Sequence, residues 1–317
     1  MSLMPKYLNV NQIKPVLLWL LVLLALGFVV AWIGPARLLA PWLSMPPVAV
    51  ILALLLMVLS YFLRAVRIQR YFLGELRGQF WPTLKLSTWH ILLNNFLPMR
   101  TGEISFPILM QRYFALPATR TVPVLLWFRL LDLQAIVILG LIAAWGVLGA
   151  GSGLTSAWVL PLVILVPAPI VVYLTRARLR RWIAKRPSGK WQSRLLASLD
   201  SLPSSFAHFL ATLGWTWANW LVKLLTLAWL LKNLAPVTVA GALAGAIGGD
   251  LTTVLPIHAP GGFGTFEAGV VLALQPFNLP APTLLSAAIN LHLFLLGTSL
   301  LAGLLVLGIR HPKPLAP

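Results

Sequence analysis

Cysteine is absent from the 317 residues, which excludes disulfides, thiolate metal sites and cysteine nucleophiles. Acidic residues are almost as scarce, six against 24 lysines and arginines, for a formal charge of +18. Charged residues of both signs make up 9% of the chain, where a soluble domain carries about a quarter. With 59% hydrophobic residues and a mean hydropathy of +0.90, a soluble globular protein is excluded and a polytopic membrane protein remains. Once the apolar runs are removed, no tract as long as a soluble domain is left, so one integral membrane domain is expected over residues 1–317. The basic excess does not point to nucleic acid, because no basic stripe interleaved with aromatics stands outside the apolar runs. Basic residues at span ends instead set orientation and attract anionic headgroups.

Apolar length predicts an all-α fold with about seven full spans, at residues 16–33, 47–63, 121–148, 156–174, 211–231, 236–254 and 282–309. The first run is too long for a cleavable signal peptide and reads as an uncleaved span. Residues 198–208, polar and broken by Pro203, read as an interfacial helix.

Two stretches do not fit a plain span. The first, at residues 94–107, is NNFLPMRTGEISFP, and places Asn94, Asn95, Leu97-Pro98, Arg100, Gly102 and Glu103 where hydrocarbon tolerates none of them cheaply. The second, at residues 253–267, is TVLPIHAPGGFGTFE and repeats the order Leu-Pro, turn, Gly, Glu, ending at Gly264 and Glu267. Interrupted segments in corresponding positions of two halves are the best sequence pointer to a transporter's binding site, so a pseudo-symmetric pair of re-entrant or broken helices is expected. Residues 83–98 would make roughly 24 Å of helix, short of a hydrocarbon core of about 30 Å. Residues 86–111 are therefore expected to form a re-entrant hairpin.

Charge bias agrees. The loops expected at 64–85, with Arg64, Arg67, Arg70, Arg77 and Lys85, and at 176–194, with eight basic residues, should both be cytoplasmic. The crossings between them must be even, so the first motif returns to the side it entered, and the N-terminus is inside. A second returning motif leaves Arg310 and Lys313 outside, against the bias, and the side of the C-terminus stays open.

Four of the six acids, Glu103, Asp132, Asp250 and Glu267, fall within or beside membrane segments and need partners or water. Arg129 and Asp132, like Arg100 and Glu103, are spaced for i, i+3 pairing; structural ion pairs are the alternative to a transport role. Asn219 and Lys223 share one helix face inside an apolar run, where Lys223 either snorkels to an interface or lines a cavity. Gly241, Gly245 and Gly249 form a small-xxx-small stripe suited to close helix packing. Pro260-Gly261-Gly262-Phe263-Gly264 has the glycines of an anion-cradling loop but neither the Gly-Lys-Ser/Thr nor the preceding strand of a nucleotide site, so ATP binding is not expected. His258 and His292 are candidate proton carriers, and without further ligands at suitable spacing no metal or other cofactor is expected.

Together with WFRLLDLQAIVIL at residues 127–139 and LPIHAPGGFGTFEAGVV at residues 255–271, the first motif resembles, in order and spacing, the flippase-like family typified by the transmembrane region of lysylphosphatidylglycerol synthases. The resemblance covers nearly the whole chain. It implies a bacterial cytoplasmic-membrane domain, not an enzyme, that moves a phospholipid or lipid-linked headgroup between leaflets through a central cavity between two broken segments. Leu97-Pro98, Arg100, Gly102-Glu103, Arg129, Asp132, Pro260-Gly261-Gly262, Gly264 and Glu267 fit the family pattern. In this reading Arg100 and Arg129 bind headgroup phosphate, while Glu103 and Glu267 bind a cationic group or a proton. Two departures stand out: Asn290 and His292 occupy the last long helix where the family often carries arginine, and the soluble acyltransferase-like domain of the lysyl-transferring members is missing, so a synthase is not expected. The expected partners are membrane lipids, anionic or lipid-linked. The competing readings are a non-catalytic partner of an envelope lipid or glycan synthase or glycosyltransferase, and an intramembrane lipid-modifying enzyme using carboxylate and histidine as acid and base.

Overall fold

The computed structural model describes residues 27, 30, 31, 33–148, 155–186, 189–252 and 259–310, and every element among them is helical. A short helix α1 (Pro35–Ser44) leads into α2 (Pro47–Tyr71). There Pro46 and Pro47 supply the fixed backbone angle and missing donor that suit a helix start. The first motif is α3 (Phe80–Phe96), a 3-10 turn over Pro98–Ile104, and α4 (Ser105–Phe114). Pro98 ends α3 by forcing Leu97 into extended backbone, φ −81° and ψ 139°. Then come α5 (Ala118–Leu148), α6 (Thr155–Leu165), α7 (Ala168–Ala184) and α8 (Lys190–Asp200). The chain continues through α9 (Phe206–Leu234), α10 (Val239–Thr252), α11 (Thr265–Leu274) and α12 (Ala281–Leu305).

Among the described residues three helices are long and apolar enough to cross a membrane, those over Pro47–Tyr71, Ala118–Leu148 and Ala281–Gly308, and counting each bent pair as one span raises the number to five. Seven full spans are not found among the described residues. Residues 16–33 lie almost wholly outside the described residues. The run at 156–174 is two helices bent by 43° at Val166-Pro167. The run at 236–254 is not a span: α10 has 14 residues, about 21 Å of helix, and its axis turns by 115° from α9.

Contacts at the helix ends give the topology. Arg120, opening α5, lies 3.5 Å from Glu75, just before α3. The first motif therefore leaves and returns at one end of the bundle, as a re-entrant hairpin does, with His90 bonded to Ser105 and Gly102 seated on Asn94 across its two arms. At the same end Tyr71 donates to the Ser201 carbonyl at 2.5 Å, and Lys85 reaches the Leu307 and Ile309 carbonyls at 3.1 and 2.6 Å. The second motif is its inverse. Gly241 meets Phe277, Gly245 meets Leu274, and Gly248 meets Gly269, an antiparallel pairing of α10 with α11 that opens at the opposite end. That end also gathers Pro41, Leu234 and Pro282 around one groove. With α10 and α11 as a returning hairpin, Arg310 falls on the basic end beside Lys85, and the conflict in the charge bias disappears.

Three expected surface features are corrected. Arg64 and Arg67 are not in a loop but in α2, Arg70 closes that helix, and Lys85 is a buried residue of α3 that binds the Leu307 and Ile309 carbonyls just past α12. The interfacial helix is α8, ending at Asp200, while residues 206–208 begin α9. The glycine stripe of α10 receives the side chains of Phe277, Leu231 and Phe266 at Gly241, Gly245 and Gly249; the backbone-to-backbone approach is made one position away, by Gly248 against Gly269.

One buried apolar cluster joins Met57 with Leu227, Leu231, Phe266 and Leu291, and another joins Ile68 and Tyr71 with Phe106, Trp127, Phe128 and Phe209. Helices α2 and α9 run from one to the other, so Ser60, Tyr61 and Arg64 on α2 and Trp220 and Lys223 on α9 fall between them, where a cavity opens.

Candidate functional site

The cavity has a volume of about 210 Å³ and lies where the two hairpin turns, Pro98–Ile104 and Pro260–Gly262, approach within 8 Å between Cα atoms. It is smaller than the roughly 300–1,000 Å³ that encloses a drug-sized ligand, a size for a polar headgroup rather than a whole lipid. Ten residues singled out in the sequence line it: Asn94, Asn95, Arg100, Glu103, Arg129, Asp132, Lys223, Gly261, Gly262 and His292. The lining also includes Leu130 and Leu133 of α5, which are 47% and 36% exposed.

A chain of charges forms one wall. Arg67 bonds Asp132 through Nη1 at 2.5 Å and Nη2 at 3.4 Å, and Trp220 Nε1 donates to the same carboxylate at 2.8 Å. Arg129 reaches Asp132 at 3.3 Å and Glu103 at 2.8 Å, and Glu103 also holds Arg100 at 2.9 Å. Both i, i+3 pairings expected from the sequence are present, and Arg129 in addition ties the span to the hairpin. Because arginine only donates, Arg129 Nη2 at 3.0 Å makes His90 Nε2 an acceptor, and His90 Nδ1–H then donates to Ser105 Oγ at 2.9 Å. Arg100 pays for this pairing with a left-handed backbone, φ 56°, uncommon for a side chain other than glycine.

The second hairpin supplies the facing wall. Gly261, Gly262 and Gly264 all have φ between 69° and 83°, conformations open to glycine at little cost. The anion-cradling reading of this loop meets an obstacle: the N-cap N–H, that of Gly264, already donates to Glu267 Oε2 at 2.7 Å, so the helix supplies its own anion. The other oxygen of Glu267 accepts Nδ1–H of His292 at 2.7 Å. Glu267 thus stands behind His292, which lines the cavity between Phe263 and Phe266. Asp250 is buried and holds Lys223 at 2.8 Å, which settles Lys223 as a cavity residue rather than a snorkelling one.

Two further candidates are not among the lining residues described. Asn290 points away, accepting from Trp42 at 2.8 Å and donating to the Leu38 carbonyl at 3.0 Å, so it anchors α1. His258, with Leu255-Pro256, lies outside the described residues. Sequence reasoning missed Arg64 and Arg67 as site residues, along with Ser60 and Tyr61. The signal was present: Ser60, Arg64 and Arg67 are spaced four and three apart, one face of a helix continuing past the apolar run. Among the described residues no three His, Asp or Glu side chains gather as metal ligands.

Against this geometry, residues 16–303 match the family model described as Lysylphosphatidylglycerol synthase TM region. The chain belongs to this family. No curated protein matches it. Membership of the lysylphosphatidylglycerol synthase TM-region family makes the chain a multi-pass membrane protein of lipid-related function, and the match is to a transmembrane region, not a catalytic domain.

Proposed function

We propose that this protein moves a phospholipid or lipid-linked headgroup between leaflets through the central cavity, without ATP hydrolysis of its own. The observation that carries the reading is the cavity's two-sidedness. Its lining is charged on the side of Arg100, Glu103, Arg129 and Asp132, and includes the exposed apolar pair Leu130 and Leu133. A headgroup inside with tails trailing past these leucines keeps each part of a lipid in its own medium, and lowers the several-kcal/mol cost of taking a charge through hydrocarbon. The inverted hairpins suit alternating access, since either can open the site toward its own end.

The basic end, with Arg176, Arg178, Arg180, Arg181, Lys185, Arg186, Lys190, Arg194 and Arg310, is then the cytoplasmic one of a bacterial inner membrane, with the N-terminus on the same side. An envelope synthase or glycosyltransferase that makes or uses the lipid is a fitting partner. The test is leaflet distribution of labelled lipids in proteoliposomes with and without purified protein, across several headgroups. Movement above that of protein-free vesicles is expected for at least one headgroup, and none for any would leave the scaffold reading in its place.

A further inference from the structure

The cations of the cavity are not equivalent. The wall built by α2, α5 and the Pro98–Ile104 turn carries four arginines, Arg64, Arg67, Arg100 and Arg129, against two carboxylates, Glu103 and Asp132. The other two membrane carboxylates, Asp250 and Glu267, are held across the cavity by Lys223 and by His292 with the Gly264 N–H. Arg67, Arg100 and Arg129 all spend their guanidinium groups on the two carboxylates of their own wall. Arg64 does not: partly buried and lining the cavity, it makes no hydrogen bond or salt bridge among the described residues and meets the charge of Asp132 only at longer range. A guanidinium in a membrane domain with no carboxylate in bonding contact needs a mobile anion or water.

From this we infer that Arg64 is the receptor for a phosphate group of an anionic lipid headgroup, and that Arg100 and Arg129 are positioning residues that hold the hairpin to the span. The inference rests on the lipid-handling reading and deepens it by naming the substrate class. An arginine offers five N–H donors in a fork matched to phosphate oxygens, and Arg64's fork is uncommitted. The local excess of two positive charges is neutralised by an anionic phosphate and is made worse by a headgroup of net positive charge. Ser60 and Tyr61, on the preceding turn of the same helix, line the cavity beside it and set its apolar margin on Met57. Arg64 is held in place without a salt bridge because α2 is fixed on either side, by Met57 in one buried cluster and Ile68 in the other.

The test is binding by native mass spectrometry of the full chain in detergent to dioctanoyl phosphatidylglycerol, to dioctanoylglycerol, which lacks the phosphate, and to inorganic phosphate. Wild type should prefer the phosphodiester over dioctanoylglycerol by about tenfold or more, the worth of one charged hydrogen-bonding group. Arg64→Gln should erase that preference, Arg64→Lys should keep part of it, and the exposed Arg178→Gln should leave it intact. No preference in wild type, or a preference that survives Arg64→Gln, overturns the inference, and the first of these does so even if the variant fails to fold. Inorganic phosphate that displaces the lipid as effectively as the lipid itself binds would overturn the lipid assignment. The two readings fail separately: preference lost in Arg64→Gln with no lipid movement by wild type sinks translocation, whereas movement by wild type with preference retained sinks only the role of Arg64.

Discussion

Arg129 grips Glu103 with Nε 3.0 Å from Oε2 and Nη2 2.8 Å from Oε1, joining the middle of α5 to the turn of the first hairpin. Three residues along the same helix, Asp132 receives Arg67 from α2. The two carboxylates look alike in the sequence but differ in surroundings. Glu103 and Arg129 side chains are 22% and 25% exposed to the cavity, whereas Asp132 and Arg67 are 5% and 3% exposed.

That difference orders two variants. Asp132→Asn strands Arg67 in a dry site, and breaking a buried pair from one side costs about 3–5 kcal/mol. Glu103→Gln leaves Arg100 and Arg129 beside the cavity, where water substitutes, so roughly 1–2 kcal/mol is expected, near the net value of a charged hydrogen bond. Thermal unfolding in detergent should rank Asp132→Asn well below Glu103→Gln. The double variant Arg67→Met with Asp132→Leu should recover much of the loss. Equal losses for the two single variants would mean that the cavity does not hydrate Glu103.

The absence of cysteine makes the topology directly measurable. Single cysteines at Arg77, Thr119, Ser204 and Arg310, all exposed and at the basic end, should react with an impermeant maleimide from one side of the membrane. Cysteines at Ser44 and Gln275 should react from the other. Labelling of Arg310→Cys from the side of Ser44→Cys, with Gln275→Cys labelled from the side of Arg77→Cys, would show that α10 crosses fully and that the second motif is not the inverse of the first.

Much of this was legible in the residues. The Leu97-Pro98 and Gly102-Glu103 layout marked the first hairpin, Gly261, Gly262 and Gly264 with Glu267 marked the turn of the second, and the cost of ionisable groups in lipid marked the cavity, because these signals are local in sequence. What was not legible depended on partners far apart. Arg64 and Arg67 follow an apolar run, and a run ends in sequence where its hydropathy falls, not where the helix does; α2 continues because Asp132 and the cavity receive those charges. Likewise residues 236–254 have the apolar length of a span, and only the pairing of α10 with α11, sealed by Gly248 on Gly269, shows that they turn back. Asn290 was misplaced for the same reason: it sits two residues from His292, nearly opposite on the helix, and packs on α1 rather than in the cavity.

The glycines of the second hairpin should respond unequally to alanine. A Cβ at Gly248 or Gly269 meets the carbonyl of the other, and neither backbone can yield. At Gly245 the obstruction is Leu231 Cδ2 at 2.5 Å, the end of a side chain that can choose another rotamer. Gly269→Ala should therefore cost more folded protein than Gly245→Ala, by about 1–3 kcal/mol, the usual range for overpacking. Similar melting temperatures for the two would show that α10 and α11 separate easily.

Glu267 gives the sharpest functional test because its neutral analogue keeps half of its bonds. In Glu267→Gln the amide oxygen still accepts the Gly264 N–H, so the cap on α11 survives, and a stability loss of about 1 kcal/mol is expected. The amide nitrogen, however, faces His292 Nδ1 and can only donate, which moves the imidazole proton to Nε2 and turns an acceptor at the cavity into a donor. Nitrogen-15 shifts of His292 should report the change of tautomer, and lipid movement in vesicles should fall while the protein stays folded. Glu103→Gln should also slow movement, here through release of the hairpin held by Arg129. A rate within about twofold of wild type in both variants, or a loss of rate that follows the loss of folded protein at the roughly 1 kcal/mol expected of a hydrogen bond, would make these carboxylates structural only and would remove them from the path of the headgroup.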